Sequence, residues 1–113
     1  MSTKKLKKKF SYPKGSVDAF EYMEKRFGPL TFPQLISSNR LGEEMSQVAF
    51  AKKLGISRQH LNDIEKGRKQ VSIERAAKFA RILEKSPSLF IQICLEDQLR
   101  SAKLKYKVTV EAA

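Results

Sequence analysis

Between Ser46 and Gly67 the chain twice offers a helix-starting serine followed by a helix-stopping glycine. Ser46 stands ahead of Val48, Ala49, Ala51 and Leu54, and Gly55 breaks that segment; Ser57 then opens another, which Gly67 ends. A serine hydroxyl at a helix N-terminus accepts from an otherwise unpaired amide of the first turn, and glycine takes the left-handed backbone on which helices terminate. This stretch therefore has to fold as a helix, a tight turn and a second helix. Few other arrangements satisfy four such signals so closely spaced.

The same signals extend to both sides. Thr31-Phe32-Pro33-Gln34 has the spacing of a capping box with proline in the first turn. Phe32, Leu35 and Ile36, with Leu41 as a candidate fourth, give that helix a buried stripe to about Leu41, and Gly42 is its candidate end. From Ser72 to about Glu84, Ile73, Ala76, Ala77, Ala80 and Leu83 recur at a helical period. Ser86-Pro87 sets the cap and first position of a last helix through Leu89, Ile93, Leu95 and Leu99. Upstream, Ser16 caps a short segment with Val17, Phe20, Tyr22, Met23 and Phe27 as its apolar residues, closed by Gly28-Pro29.

The expected fold is thus all-α, with five or six helices. Only the end departs from it. Residues 103–111 alternate polar and apolar and are rich in Val, Thr and Tyr, which predicts a short C-terminal β-strand. A lone strand leaves its backbone groups unpaired, so it calls for the N-terminal segment, an edge on a partner protein or, the favoured choice, the same strand of a second subunit. A frayed terminus is the alternative.

A chain of 113 residues has room for one core with extensions. The boundaries expected are a basic flexible tail at 1–15, a helical extension at 16–29, the main domain at 30–102 and the strand or tail at 103–113. Lys and Arg number 23 against 12 acidic residues, a net charge of +11 that favours a polyanionic partner, nucleic acid or an anionic membrane surface. Lys4, Lys5, Lys7, Lys8, Lys9 and Lys14 fall in the first fifteen residues with no acid among them, a run that repels itself until it meets phosphate. It lacks the apolar core of a secretory signal, and no stretch reaches the roughly 20 apolar residues of a membrane span. The expectation is a soluble, cytoplasmic protein. The single Cys94 sits among Phe90, Ile91, Ile93 and Leu95 and reads as a buried packing residue.

Placed on a helix, Ser57, His60, Leu61 and Ile64 share one side, and Arg58, Gln59, Asn62 and Lys66 the other, with Asp63 at the margin. Arginine matches guanine O6 and N7, glutamine and asparagine match adenine N6 and N7, and a carboxylate accepts from cytosine N4. A solvated polar face would look the same in isolation. Context separates the two.

From Met45 to Arg68 the chain, Met-Ser-Gln-Val-Ala-Phe-Ala-Lys-Lys-Leu-Gly-Ile-Ser-Arg-Gln-His-Leu-Asn-Asp-Ile-Glu-Lys-Gly-Arg, resembles the helix-turn-helix of the Xre, or lambdoid Cro/CI, repressor family. The likeness extends more loosely from Leu35 to about Leu89. It implies a lambda-repressor-like DNA-binding domain that acts as a transcriptional repressor on a double-stranded operator. It further implies that Arg58, Gln59 and Asn62 read bases with Asp63 close to one, that Gln47, Lys66, Arg68 and Lys69 contact phosphate, and that Arg40 and Glu65 form a structural salt bridge. His60 is expected to pack inward. Two departures stand out: Glu44 where the family usually has Gly, and Val71 where many members have Pro.

Gly-Pro-Leu-Thr-Phe before the domain and the Leu-Glu-Asp-Gln-Leu-Arg-Ser-Ala-Lys-Leu-Lys-Tyr-Lys-Val-Thr-Val ending are similar to antitoxins of the HigA and HipB kinds. That narrower likeness implies an autoregulating homodimer with a cognate toxin as partner, joined through the C-terminal strand. Competing readings are a module that neutralises a toxin with DNA binding secondary, and nonspecific nucleic-acid or membrane binding by the lysine tail. No cofactor or metal is expected and no enzyme, since the chain lacks Cys/His metal spacing, a phosphate-cradling glycine loop and a nucleophile with a base.

Overall fold

The computed structural model describes Lys25, Arg26 and residues 28–113. The basic tail and nearly all of the helical extension expected at 16–29 lie outside the described residues. Thr31–Ala113 forms one compact unit with five helices: α1 (Phe32–Gly42), α2 (Gln47–Leu54), α3 (Arg58–Glu65), α4 (Ile73–Ile82) and α5 (Pro87–Ser101).

All five begin in the same way. Thr31, Ser46, Ser57, Ser72 and Ser86 hold extended backbone, and each hydroxyl accepts from the amide three residues on. At Thr31 the box is complete, for the Thr31 amide donates to Gln34 Oε1 at 3.1 Å. Each cap contributes about 1 kcal/mol. The helices also end alike, with a left-handed residue followed by an amide that bonds five residues back. The left-handed residues are Glu44, Gly55, Gly67, Glu84 and Lys103. The bonds run from Met45 to Arg40, Ile56 to Ala51, Arg68 to Asp63, Lys85 to Ala80 and Leu104 to Leu99, at 2.8–3.2 Å. Gly42, the expected stop of α1, is still helical; the reversal comes at Glu44, the residue that replaces the usual glycine.

The core lies where α2, α3, α4 and α5 converge, with α1 against α3 and α5. Phe50, Leu54, Leu61, Ile64, Phe79, Phe90 and Ile93 are fully buried, each contributing roughly 1.5–3 kcal/mol by leaving water. Phe32 meets Phe90 edge to face at 6.1 Å, and its amide donates to Asp97 Oδ2 at 3.3 Å, which pins the start of α1 on α5. Several expected packing residues do not pack: Leu41 is 64% exposed and Val48 63%, and Ala49, Ile73 and Leu89 are exposed as well. Phe50, next but one to Val48 in sequence, occupies the interior instead.

The C-terminal strand expected over residues 103–111 is absent; the described residues are helical with no strand. At Lys103 the backbone turns left-handed, and the Val108 amide donates to Glu96 Oε2 on α5 at 3.0 Å. A carboxylate thus pairs one of the amides that a neighbouring strand was expected to pair. Val108 and Val110 are half-buried while Leu104 and Tyr106 stay exposed. All four lie on the same side of the extended segment, so only the far end of its apolar side is partly covered.

Candidate nucleic-acid interface

α3 is only eight residues long, and its two faces are sharply divided. Leu61 and Ile64 enter the core, whereas Arg58 and Gln59, in the first turn after the Ser57 cap, are exposed. Asn62 and Asp63 are half-buried on the same outer side, and Lys66, Arg68 and Lys69 follow as an exposed basic run through the turn at Gly67. Gln47 opens α2 beside this face.

These side chains are linked into a connected set. Arg40 grips Glu65 with two donors, Nε to Oε2 at 2.8 Å and Nη2 to Oε1 at 3.1 Å, and its Nη1 reaches the Met45 carbonyl at 3.1 Å. The Glu65 carboxylate holds the Arg40 guanidinium above its ordinary range, chiefly through the hydrogen bond and against the opposing pull of burial. Glu65 Oε1 also accepts from Gln47 Nε2 at 3.1 Å, and that same nitrogen reaches Asn62 Oδ1 at 3.3 Å. Arg58 Nη1 in turn donates to Gln47 Oε1 at 3.4 Å. Gln47 therefore sits between the ion pair and two candidate base readers. A second carboxylate, Asp63, accepts from Gln59 Nε2 at 3.2 Å and from Arg68 Nη1 at 3.3 Å, both on Oδ1.

His60 lies on the inner side of α3, half-buried, with Arg75 Nη1 3.4–3.5 Å from its two ring nitrogens. Burial pushes the imidazole below its ordinary range, and Arg75 and Lys69 push the same way against Asp63. Arg75, in the first turn of α4, thereby joins the basic rim. Sequence patterning does not single it out, and the only signal available is its place three residues after the Ser72 cap.

Between the turn after α3 and α5 lies a cavity of about 110 Å³ lined in part by Gly67, Val71, Cys94 and Gln98. The Cys94 thiol donates to the Val71 carbonyl at 3.2 Å, and burial pushes its pKa up. Among the described residues there is no group of three His, Cys, Asp or Glu able to hold a metal, and no helix long and apolar enough to cross a membrane.

A short helix carrying Arg, Gln and Asn outward, set at a fixed angle by a preceding helix and a glycine turn, is the arrangement that inserts into a DNA major groove. Residues 37–90 match the protein family described as Helix-turn-helix, which supports the likeness of this stretch to the Xre type. The match supports a DNA-binding transcription regulator. No curated protein and no solved structure gives a significant match to the chain.

Proposed function

We propose that this protein is a sequence-specific transcriptional repressor that reads a double-stranded operator with α3 in the major groove. The observation that carries this is the composition and bracing of the outer face. Arg58 and Gln59 are exposed at the N-terminal end of α3, both are tied to neighbours, and Lys66, Arg68 and Lys69 flank them. Arg58, Gln59 and Asn62 take base edges; Gln47, Lys66, Arg68 and Lys69 take phosphates. One reading helix spans only a few base pairs, so a homodimer on a two-fold operator with half-sites about one helical turn apart supplies the remaining specificity. The toxin-neutralising alternative leans in part on a C-terminal strand that the described residues do not contain, and operator binding is the reading the face supports.

The test is binding of the full chain to its own upstream DNA and to a scrambled duplex of equal length, across a range of salt. A preference of about 1000-fold or more at physiological salt supports operator recognition. Arg58→Ala and Gln59→Ala should then erase the preference. Lys66→Ala and Lys69→Ala should weaken both duplexes alike and flatten the salt dependence by about 0.9 log units for each phosphate no longer neutralised. Equal binding to both duplexes, fading together as salt rises, would sink the proposal in favour of charge-driven binding.

A further inference from the structure

Asp63 stands where its carboxylate would be counted among the base readers, yet its surroundings give it other partners. Its side chain is only 16% exposed, against 59% for the Arg68 side chain that pairs with it. Oδ1 already accepts from Gln59 Nε2 and Arg68 Nη1, and the Asp63 carbonyl accepts from the Arg68 amide at 2.8 Å. Two donors on one oxygen fix the orientation of the carboxylate, and a side chain only 16% exposed presents little of itself to a base edge.

From this geometry we infer that Asp63 is a positioning residue: it holds Gln59 and Arg68 on one oxygen, joining a base-reading side chain to a phosphate-binding one, and does not itself touch a base. With one N–H of the Gln59 amide engaged by Asp63, the amide presents its oxygen and remaining N–H outward. A side chain so fixed loses less rotamer freedom when it meets a base edge. This inference rests on α3 being the reading helix.

Selection from a pool of randomised duplexes by the full-length wild type, Gln59→Ala, Asp63→Ala, Asp63→Asn and the Gln59→Ala/Asp63→Ala double variant tests it. Gln59→Ala should relax one base pair. Asp63→Ala should relax that same base pair by about tenfold, within the range of one good amide-to-base pairing, and the double variant should relax it no further than Gln59→Ala. Asp63→Asn keeps a carbonyl oxygen as acceptor and should retain the preference, which also separates impaired positioning from impaired folding. Relaxation of a different base pair by Asp63→Ala, adding to that of Gln59→Ala, would overturn the inference and make Asp63 a reader. In the free protein, side-chain amide NMR gives a DNA-independent measure: Gln59 should be ordered in the wild type and averaged in Asp63→Ala, while an unchanged Gln59 signal would overturn the positioning role. Wild-type protein that selects no sequence would instead defeat the reading role of α3, leaving the Gln59 signal to decide the Asp63–Gln59 bond alone.

Discussion

The turn after α2 and the turn after α5 share a backbone but not a sequence. Both reverse through a left-handed residue, Gly55 at φ 78° and Lys103 at φ 62°, and both close with an amide bonded five residues back. Beyond Gly55 the chain enters another capped helix. Beyond Lys103 it enters an extended segment whose Val108 amide finds Glu96. Glycine at the first turn removes the steric penalty of the left-handed region, so that turn is locally encoded. At the second, Lys103 bears that penalty, and the bond from the segment beyond it to α5 accompanies the turn. A left-handed residue thus ends a helix in either case, but only a glycine announces it.

The largest expected effect tests the core behind the encoded turn. Phe50→Ala should cost about 3–5 kcal/mol in a urea titration, because Phe50 is fully buried and α2 offers no substitute side chain. A cost below about 1 kcal/mol, far under the range for a buried aromatic, would mean that the core is not what holds α2 against α3.

Next comes Gly55→Ala. A Cβ there meets nothing within 4 Å, so the cost is backbone strain alone, about 1–2 kcal/mol less a few tenths recovered from the unfolded chain. Lys103→Gly is the mirror experiment and should stabilise by up to about 1 kcal/mol; Glu44→Gly, at φ 55°, should do the same. If Gly55→Ala proves neutral, the distinction between an encoded and a supported turn collapses. If Lys103→Gly destabilises, the lysine side chain itself holds the reversal.

The smallest effect concerns pH. His60 is held below its ordinary value of 6.5, first by burial and then by Arg75 and Lys69, so the unfolded chain takes up its proton before the folded one does. Stability should be highest above about pH 6.5 and decline as pH falls below it, until the folded form also protonates. His60→Gln should flatten the melting temperature against pH across that window. An unchanged slope would assign the dependence to other groups.

Much of this fold was legible because its determinants are short-range. Thr31, Ser46, Ser57, Ser72 and Ser86 sit within three residues of the amides they cap, and Gly55 and Gly67 mark their own turns. The outer face of α3 followed from helical period alone. Glu44 and Lys103 gave no such notice as helix ends, and the end near Glu84 followed from where the apolar period stops and not from the residue itself. Phe50 and Val48 illustrate a further limit: both lie in one short helix, and which of them is buried depends on where α4 and the core lie.

Taken alone, then, the sequence determined where helices begin, that a tight turn joins α2 to α3, and which polar side chains share the outer face of α3. Those features depend on backbone geometry and on partners a few residues away. Tertiary structure decided what each polar side chain is bonded to and what becomes of the alternating tail. Gln47 joins Glu65 to Asn62 and Arg58 because two helices bring them together, and Asp63 is occupied because the chain after Gly67 returns Arg68 to it. An alternating pattern marks one side of an extended segment as apolar without fixing what lies against it; here only Val108 and Val110 of that side are half-buried, and Glu96 on α5 meets the Val108 amide.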